Sequence, residues 1–85
     1  MHTVDLLEQA LAAAERIGYR VRQDWLDGRG GGCEIKGQKW ILLDLASSPA
    51  EKLQVVAEVL SQEAPSASVD LSPPLRGLLD ARRAA

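Results

Sequence analysis

One cysteine and one histidine are all this sequence offers of the side chains that bind soft metals or pair as nucleophile and base. A lone cysteine closes no internal disulfide, so nothing marks an oxidising compartment. With His2 as the other soft donor a closed zinc site cannot be built, and the acids are not grouped at calcium-loop spacing. Long apolar runs are missing too: none approaches the roughly 18 residues of a membrane span. The opening MHTVDLLEQALAAAERIG lacks a basic start and is interrupted by Asp5, Glu8 and Glu15, which argues against a signal peptide. Nor is there an excess of one charge. Ten basic against twelve acidic residues leave −2, no general attraction for nucleic acid or an anionic membrane. The expectation is a cytoplasmic protein with no metal, no cofactor and no membrane contact, and with nucleic acid disfavoured as a partner.

What is present is short. The 85 residues make one domain. A chain of this size buries only about 60% of the surface its unfolded form exposes. Below roughly 70–80 residues one core rarely supplies more than about 3–5 kcal/mol, and neither disulfide nor metal adds to it here. Self-association, or a place in a larger complex, is expected on size alone. Charge is unevenly placed: residues 16–39 hold six bases and three acids, whereas from 40 to 62 Asp44, Glu51 and Glu58 meet only Lys52.

Apolar residues at Val4, Leu7, Leu11 and Ala14, and at Leu6, Ala10, Ala13 and Ile17, predict a helix from Thr3 to Ile17. Thr3 is its expected N-cap, Asp5 suits the positive end of its dipole, and Gly18 stops it. YRVRQDWL then alternates, with Tyr19, Val21 and Trp25 against Arg20, Arg22 and Asp24, as a half-buried strand does. After a glycine run, CEIK and KWILLDL read as a hairpin across Gly37–Gln38 with a type II′ turn. That register pairs Ile35 with Trp40 and Cys33 with Leu42, and sets Lys36 against Lys39. SSPAEKLQVVAEVLSQE carries a capping box: Ser48 as N-cap, Pro49 at the first helical position, Glu51 three residues after the cap. Leu53, Val56, Ala57 and Leu60 form its inner stripe. SPPLRGLLDARR reads as a last helix capped by Ser72, with Leu75, Leu78 and Leu79 on one side; it is too short to stand alone in water and must dock. The predicted fold is α+β, a three-stranded antiparallel meander in α-β-β-β-α-α order with helices packed on one face. It divides into a core domain over 1–64, a loop over 65–72 and a docking helix over 73–83.

In that arrangement Trp40 and Leu42 face the helices, while Ile41, Leu43 and Leu45 point the other way from an edge strand. An edge apolar on both sides is an aggregation hazard and needs cover. The candidates are the last helix, through Leu75, Leu78 and Leu79, and the same strand of a second subunit across a two-fold axis. These six leucine and isoleucine positions form the candidate partner interface.

The chemical candidates are fewer. Gly28, Gly30, Gly31 and Gly32 lead into a strand rather than a helix, so the dinucleotide fingerprint fails, and Gln38-Lys39 stands where a P-loop needs Lys then Ser or Thr. A corner of Arg29, Gly30, Gly31 and Cys33 is kept as a candidate ligand or anion site, since free backbone amides near an arginine can hold an anion. Cys33 otherwise reads as a packing residue on the core face. Asp24, Asp27 and Asp44 could in principle supply a carboxylate pair but read as turn and strand-end acids. Tyr19, Trp25 and Trp40 read as core aromatics rather than a base-stacking platform. RNA binding would require Arg20, Arg22, Lys36 and Lys39 on one open face.

The α-β-β-β-α order from Thr3 to Gln62 resembles, by topology, the double-stranded-RNA-binding fold. Ser48-Pro49-Ala50-Glu51-Lys52 stands where that family carries a lysine-rich, phosphate-gripping helix start. From Gly32 to Gln62 a hairpin with an ILLD strand, then SPAE and an apolar helix, is similar to the strand–helix core of ImmA/IrrE-type zincin peptidases. Glu58, Val59 and Gln62 occupy the His, Glu and His places of their HExxH, so peptidase activity does not follow. The GG-x-C pattern of Gly30 to Cys33 with its LD hairpin also looks like a group of small bacterial proteins to which no activity is attached. The function expected is a non-enzymatic interaction or assembly module. The alternatives are a ligand, anion or thiol domain at the glycine loop, a metal-free zincin-like regulatory domain and, third, a nucleic-acid binder.

Overall fold

The computed structural model describes residues 2–27, 30–63 and 71–84. Helix α1 (Thr3–Arg16) begins directly after His2, whose side chain makes no capping bond, so Thr3 opens the helix instead of capping it. It closes in a Schellman turn. Gly18, at φ +104°, donates its N–H to Glu15 at 3.1 Å, and Tyr19 donates to Ala14 at 3.0 Å. The buried residues of α1 are Ala10, Ala13 and Ala14, small enough to let the second helix lie close.

That helix, α2 (Pro49–Ser61), has both arms of the expected capping box: Ser48 Oγ accepts the Glu51 N–H at 3.2 Å, and Glu51 Oε1 accepts the Ser48 N–H at 2.9 Å. Its buried stripe is Leu53, Val56, Ala57 and Leu60, as the spacing predicts. Helix α3 (Pro73–Ala84) packs on α2 and α1 and sends Leu75 and Leu79 into the same core. The Ser72 carbonyl accepts the first helical N–H, from Arg76 at 2.9 Å, while the Ser72 hydroxyl donates to the side chain of Gln9 on α1. Most of the loop expected over 65–72 lies outside the described residues.

The sheet departs from expectation. Its strands are β1 (Arg20–Asp24), β2 (Gly31–Ile35) and β3 (Gln38–Asp44), in the order β1-β3-β2. β3 runs antiparallel to β2 and parallel to β1, so the fold is α+β with a mixed sheet, not a meander. The strand apolar on both faces takes the centre, where both of its edges are bonded. To reach β2 from β1 the chain must pass the end of β3. At Gly30 a Cβ would sit 2.8 Å from the Leu42 carbonyl oxygen, which is why a glycine stands at this crossing.

The hairpin also differs from expectation. Lys36 and Gly37, at φ +52° and +81°, make a type I′ turn, which puts Ile35 opposite Gln38, Glu34 opposite Lys39 and Cys33 opposite Trp40. An opposite-charge pair replaces the two facing lysines.

The faces are the main correction. Val21, Ile41 and Leu43 point to the helices; Trp40 and Leu42, with Cys33 and Ile35, point away. Gly32 explains the choice. It lies beside Ile41, and a Cβ there would be 3.0 Å from Val59 Cγ2, so α2 settles on β2 where no side chain intervenes. No helix among the described residues is long and apolar enough to cross a membrane.

Candidate functional site

α1 and α2 pack on one side of the sheet and α3 packs on those two helices; among the described residues no helix covers the other side. Along its centre β3 presents Trp40 and Leu42, both half-buried. β2 adds Cys33, half-buried beside Trp40, and Ile35, 51% exposed. β1 borders them with Arg20 and Arg22. The Arg20 guanidinium lies 5.9 Å from the centre of the Trp40 ring, a contact worth about 0.5–1 kcal/mol at an exposed site. Arg22 pairs with Asp24 at 3.4 Å, too exposed to add much stability. Arg22, Asp24, Leu26, Ile35, Trp40 and Leu42 enclose a cleft of about 290 Å3, walled by aliphatic and indole carbon with one base and one acid at its rim. Trp25, at the end of β1, is 72% exposed; its N–H donates to Asp24 Oδ1 at 2.8 Å.

A second, larger groove of about 780 Å3 runs on the helical side between β2 and α2. At one end Tyr19 donates its hydroxyl to Glu63 Oε1 at 2.7 Å, and Lys39 reaches the same carboxylate at 3.2 Å. Burial first, then the bond to Glu63, pushes the Tyr19 phenol up to about 12. That bond, reinforced by Lys39, holds the Glu63 carboxyl below its ordinary range against the opposing effect of burial. Glu58 pairs with Arg82 at 2.8 Å and accepts from Gln62 at 2.9 Å. These contacts tie Tyr19 and β3 to the C-terminal end of α2, and α2 to α3.

The sequence-predicted interface residues divide sharply. Ile41, Leu43, Leu75 and Leu79 are sealed in the chain's own core, the first two because the sheet turns its opposite face to the helices and the last two because α3 docks on its own chain. β3 cannot accept a second subunit's strand, since it is bonded on both sides. Leu78 is half-buried against the core and Leu45 is exposed. In the candidate ligand corner, Arg29 lies outside the described residues, Gly30 serves the close crossing of β3, Gly31 pairs with Leu42, and Cys33 is on the open face rather than in the core.

Of the expected core aromatics only Tyr19 is one. Trp25 is exposed and Trp40 faces outward. Asp24 and Asp44 stand opposite each other in the ladder, but each carboxylate accepts from its own turn, at the Trp25 and Ala46 N–H groups. Arg20 and Arg22 are on the open face, Lys36 is in the hairpin turn and Lys39 points to the helical side, so the four bases do not share a face. Glu58 and Gln62 bond each other, and Val59 sits on Gly32. Among the described residues no group of three or more His, Cys, Asp and Glu could hold a metal ion.

Sequence reasoning missed Trp40, Leu42, Ile35 and Leu26 as an exposed set. The available signal was the pair Arg20 and Arg22, which stand beside Trp40 and Leu42: long charged side chains keep a helix off the face that carries them. No protein-family model matches the chain, and neither does any curated protein or solved structure.

Proposed function

We propose that this chain is a non-enzymatic interaction module that docks an apolar protein surface on the open face of its sheet. One observation carries the reading: the central strand sends Trp40 and Leu42 to a side that none of the three helices covers. Tryptophan in a partly walled cleft is the residue type that dominates binding energy at protein interfaces, and a rim of single charges favours one orientation over others. The cleft fits a protruding aliphatic or aromatic side chain flanked by an acid and a base that answer Arg22 and Asp24. With the core complete without this face, its apolar residues are available for a partner at no cost to the fold.

The test places a photo-crosslinking amino acid at Leu26, inside the cleft, and a second at Ala12, exposed on α1. A single adduct of discrete mass from position 26 in living cells, absent from position 12 and lost when Trp40→Glu is added, is expected. Equal labelling at the two positions, or an adduct indifferent to Trp40→Glu, removes the reading.

A further inference from the structure

β2 is an edge of the sheet, with β3 on one side and, among the described residues, no strand on the other. Its two-residue turn fixes which groups are unused. Ile35 and Gln38 flank the turn and exchange both hydrogen bonds, so the bonded pairs recur at Cys33–Trp40 and Gly31–Leu42. The N–H and C=O of Gly32 and Glu34 then point out of the sheet. Exposed edges are ordinarily protected by lysine, proline, a bulge or a covering helix. β1, the other edge, carries two arginines; β2, GGCEI, has Glu34 as its one charge and no proline, and two of its five residues are glycine.

We propose that a second copy of this chain adds its own β2 here, antiparallel about a two-fold axis at Cys33, to make one six-stranded sheet. The proposal rests on the reading of the chain as an assembly module but uses the strand edge rather than the open face. The register follows from the residues. The two-fold that overlaps all five positions of β2 sets Cys33 opposite itself, Gly32 opposite Glu34 and Gly31 opposite Ile35. The outward groups of Gly32 and Glu34 then bond one another across the axis, and no like charges meet. Moving the axis to Glu34 would set two carboxylates face to face. The groove of about 780 Å3 between β2 and α2 lies along this edge, so an incoming strand has room; Val55 and Val59 share its wall with the charged side chains of Glu51, Lys52, Glu58 and Arg82. The join also doubles the open face, with Cys33 at its centre.

This register makes a chemical forecast. Cys33 occupies a non-bonded pair with its own copy, where Cα atoms are about 4.5 Å apart, inside the roughly 4.4–6.8 Å that a disulfide spans. Diamide supplies the oxidant: two thiols give up two protons and two electrons to its N=N bond, which becomes a hydrazine as the S–S bond forms. At micromolar protein a covalent dimer is expected to form at least tenfold faster than in a Cys33→Ser, Ala12→Cys variant. Without oxidant, the amides of Gly32 and Glu34 in the native chain gain protection from hydrogen exchange as concentration rises. Glu34→Pro removes one outward N–H without breaking a hairpin bond, and it should leave a folded monomer by circular dichroism and sedimentation. Gly32 and Glu34 amides that exchange freely at every concentration overturn the proposal. A dimer that survives Glu34→Pro but not Trp40→Glu also overturns it, while leaving the open face as the assembly surface.

Discussion

Ile41 and Leu43 point from β3 into a wall of helices, 0% and 1% exposed, while Trp40 and Leu42, one residue along in each case, point to a side that no helix among the described residues covers. The two faces of this strand are equally apolar. What differs is their neighbours. Beside Ile41 lies Gly32, and the core it joins contains Ala10, Ala13, Ala14 and Ala57, small residues that let two helices pack close. Beside Trp40 lie Arg20 and Cys33, and beside Leu42 lie Arg22 and Gly31. A helix cannot close over long charged side chains without burying them. Hydrophobicity along one strand says that both faces want cover; the size and charge of the adjoining strands decide which face gets it from its own chain.

The contrast is broken most directly by truncating one leucine on each face. Leu43→Ala should cost about 2–5 kcal/mol, the usual range for a sealed leucine. Leu42→Ala should cost less, about 1 kcal/mol in dilute protein, since it is only partly buried. Urea denaturation of the two variants side by side measures this, and equal losses would mean the faces are not distinguished by burial.

Next in size is Gly32→Ala, expected to destabilise by about 1–3 kcal/mol because the new methyl meets Val59 at 3.0 Å. Adding Val59→Ala should return part of that loss, giving a double-mutant coupling above about 0.5 kcal/mol. Strict additivity would show that Gly32 is not what lets α2 settle on this face.

Tyr19 tests the far end of the helical side. It is the only tyrosine, so tyrosinate absorbance reads it alone. Its unfolded value is about 10, and its folded value is raised to about 12. The folded state therefore holds the proton more tightly: the contribution is fully present below pH 10 and is lost as pH climbs from about 10 toward 12. Glu63 has the opposite sign, because its folded value is depressed; its contribution is present above the ordinary carboxylate range and is lost as acid protonates it. Tyr19→Phe should cost about 1 kcal/mol at neutral pH and flatten the alkaline slope of the urea midpoint. A slope that survives the substitution assigns the alkaline loss to another group.

How much of this was legible follows from the same neighbours. The helices were readable, because caps and stripes are local: Ser48, Pro49 and Glu51 specify one end of α2, Gly18 closes α1, and the buried stripe of α2 matches its spacing residue for residue. The strands were readable as segments. Their pairing was not, since nothing in YRVRQDWL or KWILLDL says that β3 inserts beside β1 rather than following β2 outward. That choice is made at long range, by which arrangement removes the edge from a strand apolar on both sides. A meander order exchanges the inner and outer sets, and Ile41 and Leu43 then fall to a partner although the chain buries them itself. The correct open set was hidden for one reason: Trp40 and Trp25 are large and aromatic, and large aromatics ordinarily argue for a core.

The smallest expected effect on stability sharpens the comparison furthest. Trp25→Ser removes a side chain that is 72% exposed and should change the urea midpoint by no more than about 0.5 kcal/mol in free energy. It leaves Trp40 as the only indole, so fluorescence then reports the open face and nothing else. In dilute protein acrylamide should reach Trp40 readily. As the chain associates, quenching should fall and the emission move to the blue, because Trp40 is Cys33's neighbour in the ladder and borders the cleft. Unchanged quenching across the full concentration range, with the fold intact, would separate Trp40 from the surface through which copies of this chain associate.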